Sequence, residues 1–575
     1  MKTHYLYLTY ALTAFLLLVG CSGNGKSEFV AVNLVGYPTN DIKQAFLVNA
    51  EAEAFELVNK SNGNVVFAGS AGPSKPKDAA TGDKVTVLDF SDFNKPGTYF
   101  IRINEPAFYE STSFKIDRDI YSAAALAAVQ SYYYHRCGTP VDNGTKWHYE
   151  MCHLQDAPFY EAGHRNKDVT GGWHDAGDYN KFSVNTSLSA ALLLYSYQAN
   201  PGTFYDGQLN IPEASNRIPD ILDEVKWGLD WLLKMQREDG GVYHKVSQKK
   251  WVGEFLPHND PSERHIFDVS SAATASFAAT TALGSRQFKP YSYEYAVELK
   301  KASEKAWDYL VNHPDDVPQG GFKNPPDVKG GEYGDVDDID ERLWAALELY
   351  RLTNEPTYLQ YFMEHHSRIS KEDIPPISWR DVESFVLNTF LDIKTNERYR
   401  LEKEHIKSAI VAHADRVLDT RSENSYRNLI KHTEYYWGSN SVGLAYAHDL
   451  LQAYELTGKP EYKEGAYDQL HFILGRNPFN LSQITGVGSR AVEHPYHQLS
   501  ELDDTKEPVP GMLVGGPNNY LLLNDREISP FPAYNYEDSF NNYLVNEVAI
   551  NFTAIFAYVS SSLASKSTFN SLTIN

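Results

Sequence analysis

The chain has 575 residues, a formal net charge of -23 and 13% aromatic residues, among them 39 Tyr. This length exceeds what one hydrophobic core usually supports, so we expect two domains, and the negative charge argues against nucleic acid as a partner because it repels phosphate backbones. The aromatic content suits stacking on sugar rings, although aromatic cores are the commoner reason for it.

The N-terminal segment has the pattern of a bacterial lipoprotein signal. An apolar run from about residue 5 to residue 19 follows Lys2 and His4 and is too short to span a bilayer comfortably. The run Leu18-Val19-Gly20-Cys21 resembles a lipobox, and Ser22 resembles the pattern of outer-membrane lipoproteins. We therefore expect residues 1–21 to be a signal peptide that ends at a lipidated Cys21, and residues 22–27 to be a polar tether. The protein would be an outer-membrane lipoprotein that faces the periplasm or the cell exterior. The alternative is a chance cysteine after an apolar run.

Residues 28–116 alternate apolar and polar side chains in short runs that Gly, Pro, Asn and Ser separate. This pattern predicts a small β-sandwich. The segment Val32 to Val48 is similar to the opening strand pair of an immunoglobulin-like domain. Since no catalytic cluster lies in this part, we assign it a packing role.

Residues 117–575 have a helical pattern. The run from Pro219 to Arg237 carries acidic residues in its first turns and basic residues near its end, and Gly240 follows it, as expected of a helix. LTNEPTY (Leu352 to Tyr358) and LTGKPEY (Leu456 to Tyr462) each follow an amphipathic helix and supply a proline to begin the next one. Such repeated helix hairpins indicate a ring or solenoid of paired helices.

The run GGWHDAGDYNKF sets Asp175 and Asp178 three residues apart among glycines and aromatic residues. Asp178 is the candidate general base, because a carboxylate near a water molecule can take its proton. Asp175 can orient that water or raise the pKa of its neighbour through like-charge repulsion. The alternative is an acidic turn that is solvated or holds calcium.

Glu547, in NNYLVNEVAINFTA, precedes an apolar helical pattern. Desolvation raises the pKa of a carboxyl group in such a place, which suits a proton donor near neutral pH. The alternative is an acidic residue in the first turn of an amphipathic helix, where the helix dipole favours a negative charge.

Together, these two segments resemble the family 9 glycoside hydrolases, in which the second Asp of a DAGD motif is the base and the Glu of an NEVAI motif is the acid. The resemblance covers nearly the whole chain after the signal. It implies a mainly α fold, an (α/α)6 barrel with an open cleft at one end, preceded by the immunoglobulin-like β-sandwich found in many members.

The activity that the resemblance implies is that of an inverting endo-β-1,4-glucanase, or cellulase, in polysaccharide breakdown. The substrate would be a β-1,4-linked glucan of the cellulose-like, mixed-linkage or xyloglucan kind. Glu547 would protonate the leaving oxygen, and Asp178, assisted by Asp175, would activate water across a gap of roughly 6.5 to 9.5 Å.

Two thiols and two imidazoles form another pattern. Cys137 and Cys152 could form a disulfide, which is usual in an oxidising compartment. However, His153 follows Cys152 and His174 precedes Asp175, and two thiolates with two imidazoles complete a tetrahedral zinc site. The resemblance favours structural zinc, since family members with the N-terminal domain often carry such a site. The metal would pin the catalytic loop.

The acidic run from Gly331 to Tyr350 resembles the family's calcium-holding loop. Clustered carboxylate oxygens suit a hard cation, and the candidate ligands are Asp335, Asp337, Asp340 and Glu341. The alternative is an acidic helix N-terminus that the dipole and water satisfy. We expect no organic cofactor.

The candidate residues for substrate binding are aromatic or lie near the proposed acid. Tyr and Trp side chains offer sugar platforms, although a core position is the commoner place for each when judged singly. Asp538 could also orient Glu547. The segment HPYHQ, His494 to Gln498, departs from the family's PHHR-like pattern. Tyr496 replaces the first His and Gln498 replaces the Arg, so sugar recognition there should differ. The candidates are Trp173, Tyr179, Tyr436, Trp437, Tyr496, His497, Gln498 and Asp538.

Three alternatives remain. An exo-acting β-glucosidase or β-glucosaminidase of the same family would fit the altered HPYHQ segment. A non-catalytic glycan-binding lipoprotein of the outer membrane fits the length, the anchor and the aromatic content, but it needs neither motif. A zinc hydrolase would use His174 and Asp175, yet two thiolates and two imidazoles leave no open position for water. We expect a monomer.

Overall fold

The computed structural model describes residues 27–565 except for 76, 162–164, 395–396 and 520–528. The predicted signal peptide and the lipid anchor at Cys21 lie outside the described residues. Within the described part of the chain, no helix combines the length and the apolar content that crossing a bilayer requires.

The first part of the described chain is a sandwich of two sheets. One sheet has the strand order β1-β3-β7-β6, and the other has the order β2-β10-β8-β4-β5 with β9 paired to β8. All pairs are antiparallel except β2 with β10. The inner faces bury a separate apolar core that includes Tyr37, Phe55, Leu57, Phe90 and Ile101. The strands are β1 (Phe29–Ala31), β2 (Gly36–Pro38), β3 (Gln44–Val48), β4 (Ala54–Asn59), β5 (Val65–Ser70), β6 (Ser74–Lys75), β7 (Val85–Asp89), β8 (Gly97–Ile103), β9 (Tyr109–Glu110) and β10 (Phe114–Asp117).

The rest of the chain is mainly helical. Its helices are α1 (Ser122–Ser131), α2 (Ser183–Ala199), α3 (Asp220–Met235), α4 (Ser271–Phe288), α5 (Tyr293–Asn312), α6 (Ile339–Thr353), α7 (Pro356–His365), α8 (Glu383–Asp392), α9 (Arg400–Glu423), α10 (Ser439–Thr457), α11 (Pro460–Ile473), α12 (Gln498–Leu502), α13 (Tyr543–Asn546) and α14 (Ile550–Leu563).

Six of these helices form an inner ring. Helix α14 packs on α2, α2 on α4, α4 on α6, α6 on α8, and α10 on α14. The Ser384 hydroxyl of α8 donates to Asp449 of α10 and closes the ring. Helices α1, α3, α5, α7, α9 and α11 pack outside it. The predicted mainly α fold, an (α/α)6 barrel preceded by a small β-sandwich, is therefore confirmed.

Composition explains which helices are inside. Helix α4 is rich in Ala, Ser and Thr and is buried along almost all of its length, as expected of an element with neighbours on every side. Helix α5, outside it, has a strongly charged face and buries only one stripe. Small side chains let the inner helices approach closely, and the charged outer faces meet solvent.

Short strands at one end of the barrel hold the connecting loops. Strands β11 (Lys181–Phe182), β13 (Lys245–Gln248) and β14 (Arg264–Ile266) form one sheet, and β12 (Val242–Tyr243) pairs with β15 (Val269–Ser270). Strand β11 begins three residues after Asp178 and leads directly into α2. This small sheet therefore fixes the direction of the chain that carries the DAGD motif.

The sandwich and the barrel share a polar and aromatic interface. The Leu34 N–H donates to the Leu474 carbonyl at 2.8 Å, and the hydroxyl of Tyr426 donates to Asp83 at 2.9 Å. The guanidinium of Arg476 lies 4.2 Å from the centre of the Phe46 ring. Buried hydrogen bonds and a buried cation–π contact thus join the two parts, in agreement with the packing role predicted for the sandwich.

Candidate active site

A cleft of about 1200 Å³ opens at the end of the barrel where the inner helices begin. The loop with Asp175 and Asp178 leads into α2, and Glu547 lies three residues before α14. All three carboxylates line this cleft. Because α2 and α14 are neighbours in the inner ring, Asp178 and Glu547, which are 369 positions apart in sequence, meet at one place.

Asp175 is the most deeply held of the three. Tyr333 donates its hydroxyl to Oδ2 at 2.8 Å, and the amide of Asn185 donates to Oδ1 at 2.8 Å. Burial raises the pKa of Asp175 to about 7, although both hydrogen bonds oppose the shift. Both oxygens are thus occupied, which suits a residue that holds the loop in place.

Asp178 has a different environment. The side-chain amide of Asn180 donates to Oδ2 at 2.7 Å, and the Asn180 backbone N–H donates to Oδ1 at 3.2 Å. Burial raises the pKa of Asp178, and the two bonds from Asn180 lower it in part because they stabilise the charged form. Asn180 thus favours the charged form of Asp178 and opposes the effect of burial.

Glu547 is the carboxyl group with the stronger tendency to stay protonated. Burial raises its pKa well above the usual range, and the negative charges of Asp178 and Asp175 raise it further. Its backbone carbonyl accepts from the Gly515 N–H at 2.8 Å. The cleft thus contains one carboxyl group suited to donate a proton and one suited to accept a proton.

Backbone hydrogen bonds join the three motif segments. The Ile550 N–H donates to the Asp175 carbonyl at 2.9 Å, the Tyr496 N–H to the Asn546 carbonyl at 2.8 Å, and the Gln498 N–H to the Gly177 carbonyl at 3.0 Å. At Gly177, a Cβ atom would lie 2.3 Å from the Tyr496 carbonyl oxygen, so only glycine permits this approach. DAGD, HPYHQ and NEVAI therefore act as one rigid floor.

Some predicted sugar platforms lie in the cleft. Tyr436 and Trp437 are 37% and 40% exposed and line it, as does Tyr496. The prediction for Trp173 is wrong, because its side chain is 0% exposed and donates to Glu224 in the core. Tyr179 is also buried. Its ring lies against His174, and its hydroxyl donates to the Phe255 carbonyl, so it does not offer a face to a sugar.

Three other predicted substrate residues lie behind the cleft. His497 is buried, with Nδ1 2.8 Å from the Ser500 hydroxyl, and Gln498 is 2% exposed and accepts the Phe255 N–H through Oε1. Asp538 accepts the backbone N–H groups of Glu493 and His494, both at 2.9 Å, and the Asn546 amide at 3.1 Å. None of these three residues lines the cleft, which corrects their predicted place in it; their hydrogen bonds hold the segments of its floor.

The cleft also contains residues that sequence reasoning missed. Trp251 and Tyr543 are 47% and 39% exposed and line it, together with Trp379 and Tyr333. Tyr333 has φ of +52°, the left-handed region, in a glycine-rich run. Aromatic residues in loops between predicted helices were the available signal, but their sequence positions do not reveal which ones face the cleft.

Behind the DAGD loop, Cys137, Cys152, His153 and His174 converge, with one candidate ligand atom of each within 4.8 Å of the others. Cys137 Sγ lies 3.7 Å from His153 Nδ1, and Cys152 Sγ lies 3.7 Å from His174 Nε2. Tetrahedral zinc with bonds of about 2.3 Å to sulfur and 2.0 Å to nitrogen would separate these atoms by about 3.5 Å. Both thiols are free, and the donor set fits zinc.

The acidic run contributes to two separate clusters, one of Asp335, Asp340 and Glu341 and one of Asp337 and Asp338 with Asp316. Asp335, Asp340 and Glu341 are buried with carboxylate oxygens within 4.8 Å of one another. Among the described residues, Asp335 Oδ2 and both Glu341 oxygens have no hydrogen-bond donor. Asp337, by contrast, is exposed and pairs with Arg368 at 3.2 Å, which corrects its predicted place in the set. Three buried carboxylates with unused lone pairs fit a hard cation such as calcium.

A second cavity, of about 950 Å³, lies at the opposite end of the barrel, around the last turns of α2, α8, α10 and α14. None of the three carboxylates lines it. The cleft at the N-terminal ends of the inner helices is therefore the site whose chemistry agrees with a hydrolase.

The fold and this cleft define a helical-barrel glycoside hydrolase. Residues 121–560 match the model of glycosyl hydrolase family 9, and residues 26–107 match that of the cellulase N-terminal ig-like domain. The chain belongs to glycosyl hydrolase family 9, as its motifs predict. This family match covers more than half of the chain.

Similar proteins agree with this assignment. Endoglucanase D of Acetivibrio thermocellus is 33% identical over 540 residues, which cover 92% of this chain and 82% of that protein. The xyloglucan-specific endo-beta-1,4-glucanase BoGH9A of Bacteroides ovatus is 32% identical over 577 residues, which cover 95% of this chain and 96% of that protein. A metagenome-derived family 9 endoglucanase of known crystal structure superposes with a TM-score of 0.87 at 33% identity, over 94% of this chain and 99% of that one.

Proposed function

We propose that the protein is an inverting endo-β-1,4-glucanase, with Glu547 as general acid and Asp178 as general base. The observation that carries this proposal is the position of both carboxyl groups in one aromatic-lined cleft, with burial and the neighbouring negative charges favouring the protonated form of Glu547. The names of the similar endoglucanases support the same activity.

In the proposed step, Glu547 donates its proton to the glycosidic oxygen as the bond from that oxygen to the anomeric carbon breaks. A water molecule attacks the anomeric carbon from the opposite face, and Asp178 takes a proton from it. Asp175, held by Tyr333 and Asn185, keeps the loop and this water oriented. Solvent then returns the proton to Glu547 and removes one from Asp178, so the enzyme is restored.

Charge supports a neutral glucan as the substrate. Acidic residues outnumber basic ones among the described residues that line the cleft, which disfavours glycans with carboxylate substituents. The aromatic faces suit unsubstituted or xylose-decorated glucose rings. The acidic residues are Asp175, Asp178, Glu254, Glu332, Asp381 and Glu547, and the basic residues are Lys329 and Arg380.

Product analysis tests this function. Purified protein is incubated with β-1,4-glucan, mixed-linkage glucan, xyloglucan and chitosan oligosaccharides, and the products are separated by size while NMR follows the anomeric configuration. We expect a ladder of oligosaccharides with inverted anomers from at least one glucan. Release of a single monosaccharide would support the exo-acting β-glucosidase or β-glucosaminidase instead, and no product from any glycan would favour a binding protein.

The metals and the anchor belong to the same proposal. Zinc at Cys137, Cys152, His153 and His174 would hold the catalytic loop from behind, and calcium at Asp335, Asp340 and Glu341 would hold the loop of Tyr333. The lipobox at Cys21, with Ser22 after it, supports an outer-membrane lipoprotein that faces the periplasm or the exterior, and we propose that the protein is a monomer. Loss of membrane association on Cys21→Ala, measured by fractionation, tests the anchor.

A further inference from the structure

Residues 249–260, in the connection between β13 and β14, include a tryptophan that the proposed mechanism does not use. We call this segment the Trp251 loop. Trp251 is 47% exposed, lines the cleft, and has its ring centre 6.5 Å from that of Tyr496, whose backbone pairs with Glu547. An exposed indole that lines a cleft near the proposed acid can offer its apolar face to a sugar ring.

The beginning of this loop is tied to the base. The Gln248 N–H donates to Asn180 Oδ1 at 3.0 Å, and the Asn180 amide donates to Asp178 Oδ2 at 2.7 Å. The Lys249 carbonyl accepts the Lys329 N–H at 2.8 Å. The hydrogen bonds of Asn180 therefore fix the direction in which the Trp251 loop leaves β13.

The middle of the loop is clamped at Phe255. Gln498 Oε1 accepts the Phe255 N–H at 3.0 Å, and the Tyr179 hydroxyl donates to the Phe255 carbonyl at 2.5 Å. Both side chains are buried beneath the cleft. The turn between Trp251 and Phe255 passes through Gly253, whose φ of +124° favours glycine.

The end of the loop contacts the group of Cys137, Cys152, His153 and His174, which we call the Cys2His2 cluster. Asp260 Oδ2 lies 3.1 Å from His153 Nε2, while Asp260 Oδ1 accepts the Ser262 N–H at 2.9 Å. This contact leaves His153 Nδ1 directed at Cys137. Apart from the bond between Lys249 and Lys329, the anchors of the loop thus lead to the DAGD segment, to HPYHQ or to the cluster behind them.

The clamp gives a chemical reason for the glutamine at position 498. A glutamine amide offers an acceptor, whereas a guanidinium group has five donors and no acceptor. An arginine at this position cannot receive the Phe255 N–H, so the present conformation of the loop depends on a residue with an acceptor oxygen.

We propose that the Trp251 loop forms a separate sugar subsite beside the cleavage point, in which the indole stacks on a glucose ring and Gln498 and Tyr179 act as positioning residues. This inference rests on the proposed glucanase function and names one of its specificity elements. It assigns to Gln498 an effect on substrate choice that does not require contact with the sugar.

The test measures affinity separately from catalysis. In the full-length Glu547→Gln protein, calorimetry gives the dissociation constants of β-1,4-gluco-oligosaccharides from two to six residues long. We expect Trp251→Ala to weaken the binding of the oligosaccharides long enough to reach the loop by about tenfold, and Trp251→Phe to keep most of the affinity. Tyr293→Ala removes an exposed aromatic side chain of α5 outside the cleft and is the matched control. It should leave every dissociation constant unchanged.

The positioning role predicts a pattern that a merely structural role does not. Tyr179→Phe and Gln498→Leu should each weaken binding of the same oligosaccharides, and neither should add to the loss in a double variant with Trp251→Ala. Gln498→Glu, which keeps an acceptor, should retain more affinity than Gln498→Leu. If Gln498→Leu does not fold, Tyr179→Phe carries this test, because it removes only one hydroxyl group.

The outcomes separate the two proposals. If the parent protein binds no oligosaccharide of any length, the glucanase function fails. If it binds them and Trp251→Ala leaves every dissociation constant unchanged, the subsite is refuted while the function stands. If the effects of Trp251→Ala and of the clamp variants add in full, the positioning role of Gln498 and Tyr179 is refuted.

Discussion

At the scale of single residues, the site gives three neighbouring carboxyl groups different environments. Asn180 stabilises the charged form of Asp178, Tyr333 and Asn185 occupy both oxygens of Asp175, and Glu547 lies beside both negative charges. The pKa values of a base and an acid separate when their surroundings differ in this way. The division of roles thus follows from the neighbours of each carboxyl group.

The proposed roles predict the effect of removing each charge. Asp178→Asn and Glu547→Gln should each lower kcat by several orders of magnitude while KM and the melting temperature change little, because each amide keeps the shape of the side chain. Steady-state kinetics on a soluble glucan measures this. Azide should restore activity to the Asp178 variant only, and near-normal turnover in either variant would remove that residue from its role.

Asn180 predicts a pH effect. Its hydrogen bonds stabilise the ionised form of Asp178 and so lower its pKa. Asn180→Ala should therefore raise the pKa of the base, and the acidic limb of the kcat/KM profile should move to higher pH by about one unit. The alkaline limb, which Glu547 controls, is the internal control and should stay in place. A shift of the acidic limb to lower pH would contradict the assignment.

At the scale of elements, loops that lead into neighbouring inner helices carry the chemistry, and two clusters hold these loops. The Cys2His2 cluster predicts about one zinc ion per chain, with both thiols unreactive until the protein unfolds. Cys152→Ser should lower the zinc content and the melting temperature, as elemental analysis and calorimetry would detect. A Cys137 to Cys152 disulfide in the mass spectrum would end this proposal.

The acidic clusters offer a matched pair of variants. Calcium should raise the melting temperature of the protein, because it compensates three buried carboxylates, and Glu341→Gln should abolish this rise. Asp337→Asn should leave the rise intact, since Asp337 is exposed and lies outside the buried cluster. Thermal unfolding with added calcium or with a chelator measures this rise. An equal loss of the rise in both variants would argue against the proposed ligand set.

At the scale of the whole molecule, the sandwich and the barrel are one structural unit joined by buried contacts. Phe46, from β3, is fully buried and packs on Arg476 and Tyr426 of the barrel. Phe46→Ala should lower the free energy of unfolding by about 3 to 5 kcal/mol, as for other buried Phe truncations. Phe108→Ala, at an exposed position of the same domain, is the control. A small effect of Phe46→Ala in urea unfolding would show that the interface contributes little.

Local sequence patterns were sufficient for the elements and for the residues with a strict chemical requirement. The alternation in 28–116 predicted the sandwich, the helix hairpins predicted paired helices, and the resemblance selected the ring. Asp178 and Glu547 stand in motifs that meet in the cleft, and the four Cys2His2 residues, predicted as one group, converge behind it. Such requirements are visible in the chain itself.

Only the tertiary structure decided which side chains face the cleft. Trp173 and Tyr179 stand beside Asp175 and Asp178 in sequence, yet the turn of their loop buries both, whereas Trp251 reaches the cleft from a loop about 70 residues later. Asp337 is separated from Asp335 by one residue but leaves its cluster, because the chain turns between them before α6 begins. Sequence determines local conformation and chemistry, whereas the direction of a loop side chain depends on contacts with distant segments, here Phe255 with Gln498 and Tyr179, which exist only after the barrel has closed.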